Sequence, residues 1–311
     1  MFVAVPKASV AGEQELAPIK DRKTGSRVLR IAVDTGGTFT DCVWIENRRL
    51  RILKIFSTPH DPSEAIAKAV KRIVGDSAGE VVVLHGTTVG TNALLQRRGA
   101  RTALVTTAGF EDAIEIGRQA RPKLYDLNVS RIEPLVARGL RFGIAERIRP
   151  DGSVEKKPSR HDLDELRSRV QASGAESVAI CLLFSFANPE NEAAVARELE
   201  PLGVFLSSSH RILPEFREYE RMSTIAVNAY LQPLMQSYLE SLRSRLSVGR
   251  PTKLYVMQSS GGITSLERAA AEPVRTVLSG PAGGVVGAFG VGRDAGFDHI
   301  VSFDMGAPQP M

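Results

Sequence analysis

Hydrophobic and polar positions along the chain lay out its elements before any chemistry is considered. Val28-Leu29-Arg30-Ile31-Ala32-Val33 and Cys42-Val43-Trp44-Ile45 flank Asp34-Thr35-Gly36-Gly37-Thr38-Phe39-Thr40-Asp41, which reads as two strands joined by a Gly-Gly hairpin turn. Residues 50–56 alternate and predict a third strand. Asp61-Pro62-Ser63-Glu64 opens a helix running to about Val74, with proline in its first turn. Val81–Leu84 reads as a buried strand leading through His85-Gly86-Thr87-Thr88 to a helix from about Thr91 to Arg98; a strand at Thr102–Thr106 and a helix at Gly109–Ile116 follow. Residues 119–160 are turn-rich and give no clear pattern. Beyond them the pattern predicts a strand over 177–186, a helix over 190–199 and a long helix over about 215–247 that Pro233 should kink or restart. It also predicts a strand at Leu254–Met257, a turn at 259–262, a helix opened by Ser279-Gly280-Pro281-Ala282-Gly283-Gly284, and a last strand at His299–Phe303. The small residues of that last helix leave one face nearly bare backbone, which suits a hinge between domains or a tight helix crossing.

Three consecutive strands, then helix, strand, helix, strand, helix, is the order of a ribonuclease-H-like mixed α/β sheet, whose ligands gather at strand ends. Composition agrees with a globular chain of about two domains: 311 residues, 43% hydrophobic and 24% charged. The net charge of +5 is spread among acids with no basic, aromatic-interleaved stripe, which argues against nucleic acid. Cys42 and Cys181 fall in predicted buried strands and read as core residues. No apolar run reaches membrane-spanning length, and residues 1–27 lack a signal-peptide core, so they are expected to be a disordered leader and the protein cytoplasmic.

The chemistry concentrates in the octet 34–41. Its glycines let backbone approach a bound group, its turn amides can nest an anion, its threonines add donors, and a carboxylate at each edge can hold a divalent cation. The set suits nucleotide phosphates and Mg²⁺; the alternative is an ordinary hairpin carrying Asp and Thr. It is neither a Walker A loop nor a dinucleotide fingerprint. Asp304-Met305-Gly306 echoes the octet and is expected to form the opposing jaw.

Many further segments resemble the hydantoinase A/5-oxoprolinase family: His85–Ala93, Gly109–Asp112, Glu115–Gln119, Arg121-Pro122, Leu124–Asp126, Pro214–Arg221, Asn228–Tyr230, Gln258–Gly262 and Ser279–Gly284. The similarity spans about 29–306. It implies the two-lobed nucleotide fold of actin, sugar kinases and heat-shock chaperones, with the first lobe and the start of the second present. The implied division is a leader at 1–27, an N-terminal ribonuclease-H-like domain at 28–209, and the beginning of the hydantoinase A core at 210–311. It implies ATP and Mg²⁺ as cofactors, a cyclic amide such as 5-oxoproline or a hydantoin as substrate, and a hydantoinase B-type partner subunit. ATP would phosphorylate the amide carbonyl oxygen; no catalytic side chain is assigned. Thr35, Gly36, Gly37, Thr38, Thr40, Asp304 and Gly306 are expected at the phosphates and Asp34 and Asp41 at the metal. His85, Thr87, Thr88, Asn92, Arg118 and Arg121 are expected at the substrate. At residue level Thr87 and Thr88 read equally as helix caps, and His85 as a satisfied strand-end residue.

The chain departs from the family after Gly306, where Asp-Met-Gly-Gly-Thr gives way to Ala307-Pro308-Gln309-Pro310-Met311. Deleting one G from codons for Gly-Gly-Thr-Thr-Thr-Asp (GGC GGC ACC ACA ACC GAT G) yields GGC GCA CCA CAA CCG ATG, which encodes Gly-Ala-Pro-Gln-Pro-Met. The sequence-level expectation is therefore a frameshifted piece of a longer enzyme, inactive alone. A non-catalytic remnant, a nucleotide sensor and a ketone carboxylase-type subunit are the other readings.

Overall fold

The computed structural model describes residues 28–58, 60–75, 79–119, 125, 133–247 and 251–303. The chain opens with β1 (Leu29–Thr35), β2 (Phe39–Glu46) and β3 (Arg49–Phe56), then α1 (Pro62–Val74), β4 (Val81–Thr87), α2 (Val89–Leu95), β5 (Thr102–Thr107) and the single turn α3 (Ala113–Ile116). Next come β6 (Arg141–Ile144), β7 (Arg147–Ile148), β8 (Val154–Lys156), α4 (Arg160–Ala172), β9 (Ser177–Cys181), α5 (Glu190–Leu199), β10 (Phe205–Ser208) and α6 (Ser209–Ile212). It continues through α7 (Glu218–Leu246), β11 (Thr252–Met257), β12 (Ile263–Ser265), α8 (Leu266–Ala271) and α9 (Ser279–Asp294).

The strands form two principal sheets. The first is mixed, in the order β12-β11-β4-β1-β2-β3; β2 runs antiparallel to both β1 and β3, and β4 and β11 run parallel to β1. The second is wholly parallel, β10-β9-β5-β6. The expected strand at 102–106 thus leaves the first sheet for the second, and β11 takes the place beside β4.

One helix serves both sheets. Its 29 residues make α7 about 43 Å long. Met222, Ile225, Ala226 and Ala229 in its first half pack on Leu104, Ala179 and Cys181 of the second sheet. Leu231, Met235, Leu239, Leu242 and Leu246 in its second half join α1 over Ile31, Val33, Val81 and Val83 of the first. A division at 209/210 therefore parts β11 and α7 from the sheet they complete. α7 runs on through Pro233, so the helix does not restart there. Packing on both sheets holds the helix across it, and the nearby Tyr230 carbonyl accepts from Ala100 N at 2.9 Å.

Other differences are local. β9 ends at Cys181, short of the expected 186, because Leu182–Ala187 turns away. Residues 299–303 form no strand; Val301 and Phe303 are exposed. α9 begins at Ser279 as the glycine-rich segment predicts, with Val285, Val286, Phe289 and Val291 exposed along it. Both cysteines are buried, Cys42 in the first core and Cys181 between the second sheet and α7. Among the described residues no helix is long and apolar enough to cross a membrane.

Candidate functional site

Period-two alternation sorts the octet into two sets. Thr35 and Thr40 pair across the hairpin on the buried side, with Ile31, Val33 and Cys42; Asp34 and Asp41 pair on the open side. The turn between them is closed by Gly36 N donating to Phe39 O at 3.0 Å. Ser57 braces it from β3: its hydroxyl donates to Gly36 O at 2.9 Å and meets Thr40 Oγ1 at 2.9 Å, while its amide donates to Thr38 O at 2.9 Å.

Two other segments reach the same sheet edge. Thr88, between β4 and α2, donates its hydroxyl to Thr35 O at 3.0 Å, and Asn92 Nδ2 lies 3.4 Å from Thr88 Oγ1. The start of α9 docks on this junction through Leu278 N to Thr91 Oγ1 at 3.0 Å and Ser279 Oγ to Thr87 O at 3.2 Å. Leu278 holds a left-handed φ of 61° and its side chain does not cap the helix. The first-turn amides of this 16-residue helix thus open beside the hairpin, where they favour an anion. Gly283 lets α9 come this close, since a Cβ there would lie 2.8 Å from Met257 Sδ.

The expected residues divide accordingly. Gly36, Gly37, Thr38, Thr88 and Asn92 come together at the edge. Thr40 is wholly buried and held by Ser57, so its hydroxyl is a brace for the turn rather than a surface donor. Thr87 is also buried, its Oγ1 accepting from Val89 N at 3.2 Å. His85 is wholly buried on the α7 side, with Nε2 2.7 Å from Tyr238 Oη, and burial lowers its pKa from 6.5 to about 4. It is a neutral core histidine rather than a substrate contact. Arg118 pairs with Glu220 at the start of α7 and belongs to the second sheet's surroundings. Arg121, Asp304 and Gly306 lie outside the described residues.

Sequence reasoning missed Ser57, Thr91 and Ser279 as parts of this site. Ser279 opens a glycine-rich helix start, which was a signal; Ser57 carries none.

The open side is suited to a cation and a phosphate chain. Asp34 and Asp41 are register partners, and Gly86 faces Asp34 from β4; a Cβ there would lie 3.2 Å from Asp34 Oδ1. Asp41 already holds Lys54 Nζ at 2.8 and 2.9 Å, so a metal there shares or displaces that ammonium. Thr35 Oγ1 is buried on the opposite face with Thr40, without a hydrogen-bond partner, so its hydroxyl is not a donor on this side. A glycine-lined carboxylate and uncapped amides at one edge fit a Mg²⁺-nucleotide's phosphates.

Comparison with known proteins identifies the family. Residues 30–203 match the hydantoinase/oxoprolinase N-terminal region and residues 221–307 match hydantoinase/oxoprolinase. The chain is 33% identical to caprolactamase subunit alpha of Pseudomonas jessenii, over 89% of this chain and 42% of that protein. The crystal structure of the ATP-dependent caprolactamase from the same organism superposes with a TM-score of 0.76 at 31% identity, covering 89% of this chain and 42% of its own. Identity is 30% to 5-oxoprolinase of Saccharomyces cerevisiae, over 89% of this chain and 25% of that protein. It is 32% to the acetophenone carboxylase gamma subunit of Aromatoleum aromaticum, over 89% and 41%. The chain therefore spans from a quarter to about two-fifths of these relatives' lengths. By these matches it belongs to the hydantoinase/oxoprolinase family.

Proposed function

We propose that the hairpin edge holds the phosphates of Mg²⁺-ATP, and that the chain is the nucleotide-binding part of an enzyme that opens a cyclic amide of the 5-oxoproline or hydantoin type. The observation that carries this reading is the meeting of three segments at one sheet edge: the Gly36-Gly37 turn, Thr88 with Asn92, and the uncapped start of α9. The order β3-β2-β1-β4-β11 supports a ribonuclease-H-like lobe of the actin, sugar kinase and heat-shock chaperone type, with the second sheet inserted between β4 and β11. Family membership and the ATP-dependent caprolactamase support ATP as cosubstrate.

Each residue's role follows from its place. Gly36, Gly37 and Thr38 offer amides, Thr38 also a hydroxyl, and the first turn of α9 faces them. Asp34 holds Mg²⁺ directly or through water, with Asp41 beside it and Lys54 balancing the charge while the metal is away. Bound ATP would supply a phosphoryl group to the amide oxygen; water would then add to that carbon, the ring C–N bond would break with the nitrogen taking a proton, and a second water would release the phosphate from the resulting acyl phosphate. This chain's part is positioning and charge neutralisation rather than covalent chemistry. Similarity to the acetophenone carboxylase gamma subunit favours a second reading, in which the activated group is a ketone's or its carboxyl donor's oxygen. The relatives' names as subunits support a partner chain.

ADP formation measured with 5-oxoproline, a hydantoin or acetophenone plus bicarbonate, alone and with a hydantoinase B-type partner, tests the proposal. Stimulation by a cyclic amide, lost in Asp34→Asn, is expected with the partner present and not from the chain alone. Stimulation by the ketone alone would move the assignment to carboxylation. No nucleotide turnover under any condition would overturn it.

A further inference from the structure

Period-two alternation leaves one side of the first sheet strongly apolar at its β2–β3 end. In the register of these strands Phe39 lies opposite Phe56, Asp41 opposite Lys54, Val43 opposite Ile52 and Ile45 opposite Leu50, all on the side that carries Asp34. Six of these eight outward positions are apolar. The other side of the same strands packs through Cys42, Trp44, Leu53 and Ile55 on the core beneath α1. An antiparallel ribbon with one wet face presents polar residues outward, and apolar residues on both faces mark strands covered on both. Yet Phe39, Ile45, Leu50, Ile52 and Phe56 are exposed, from 37% at Phe39 to 76% at Phe56. On this side α9 covers the sheet only farther along, where Gly283 meets Met257 of β11.

The patch is continuous and charge-balanced. The Phe39 and Phe56 rings stack with centroids 5.0 Å apart. Its two charges neutralise each other, Lys54 Nζ lying 2.8 Å from Asp41 Oδ1 and 4.8 Å from the Phe39 ring centroid. Each strand has eight residues, so the ribbon is about 26 Å long. At about 200 Å² for a fully exposed residue of this size, the five exposed residues present roughly 600 Å², the upper end for the largest apolar patch on a typical monomer. Interfaces are about three-fifths apolar, so this patch and its polar rim amount to roughly 1,000 Å² per partner, above the roughly 800 Å² of a standard stable complex.

We infer that this face is the interface of a homodimer, in which two copies pack their β2–β3 ribbons face to face about a twofold axis. Charge selects a second copy over an unlike chain. A surface built for an unlike partner signals it with a surplus of one sign, and this one has none. A like copy meets no net repulsion, and the twofold axis sets Lys54 of each copy against Asp41 of the other, the self-complementarity that an isologous contact requires. Two twisted sheets pack in this manner about 10 Å apart with their strands aligned to within about 30°.

Asp41 also belongs to the proposed hairpin site, so the test is run on the full chain without nucleotide or Mg²⁺, and its outcome leaves the nucleotide reading untouched. Sedimentation velocity across a hundredfold range of protein concentration should show a reversible monomer–dimer equilibrium. Ile52→Glu and Leu50→Glu replace exposed side chains, and an unchanged circular dichroism spectrum and Tm show that the fold is kept. Each is expected to weaken dimerisation about a hundredfold or more, because the twofold axis counts every loss twice. Phe289→Glu, on the exposed side of α9, is the control and should leave the dimer as it is. Open-ended aggregation in place of a closed dimer, a dimer that survives both strand variants, or one that Phe289→Glu breaks instead would overturn the inference. A monomer at every concentration would also overturn it and leave the face to an unlike chain.

Discussion

Acidification should weaken this fold through His85. Its imidazole is wholly buried under the first sheet, and burial takes its pKa from 6.5 to about 4. The unfolded chain therefore binds a proton near pH 6.5 that the folded chain refuses until near pH 4. Between those values the unfolded state holds more protons, so stability falls as pH falls. Integrating the two titrations, the loss between pH 7.5 and pH 5 is about 2 kcal/mol, approaching about 3 kcal/mol below pH 4. For a body of this size about 2 kcal/mol lowers Tm by roughly 4–8 °C. Other groups also titrate in this range, so the informative quantity is the difference between wild type and His85→Gln, which cannot take the proton. The variant should be somewhat less stable at pH 7.5, having altered the 2.7 Å bond to Tyr238, yet lose about 2 kcal/mol less than wild type on going to pH 5. Thermal unfolding followed by circular dichroism at both pH values measures this. Equal losses in the two proteins would mean that folded His85 protonates freely, and its placement in the core would be wrong.

Three further outcomes follow from the packing. Asp34→Asn changes a charge at an exposed sheet end, so nucleotide-dependent activity should vanish while stability stays within about 0.5 kcal/mol by chemical denaturation. Gly99→Ala would place a Cβ 2.1 Å from Tyr230 Cε1, and the forced shift should cost about 1–3 kcal/mol, read as a lower Tm. Glu192→Gln turns an acceptor of four hydrogen bonds into a half-donor among donors and should cost at least about 2 kcal/mol at pH 7. Because these bonds hold the Glu192 pKa below 4.5 against its burial, wild type should lose that advantage over the variant as pH falls below 4.5.

How much of this was legible from sequence depends on whether the signal was local. The hairpin, α1, α5 and the start of α9 were readable because turn residues, a proline at a helix start and apolar runs act within a few positions. The parity of β4 was readable too: Val81, Val83, His85 and Thr87 share one face, so two apolar residues already pointed His85 into the core. The same alternation separates Thr35 and Thr40 from Asp34 and Asp41. Helix α4 was missed although Ser159 and Asp162 form a reciprocal capping box at its start. The partner of β4 was not locally encoded. β11 lies more than 160 residues downstream, and only the path of α7 across both sheets explains why it, rather than β5, fills that place. Nor does any local rule reveal that Pro233 sits where tertiary packing keeps a helix whole.

The central claim is that the hairpin turn and the start of α9 grip a nucleotide's phosphates together. Amide chemical shifts of the labelled, deuterated chain during titration with Mg²⁺-ATP test it most directly, and they report weak binding as well as strong. The account predicts that Gly36, Gly37, Thr38 and the amides of Ser279 and Gly280 move together with one apparent affinity, and that Asp34→Asn abolishes the response. Shifts confined to other parts of the chain, or a hairpin that moves while the start of α9 does not, would contradict it.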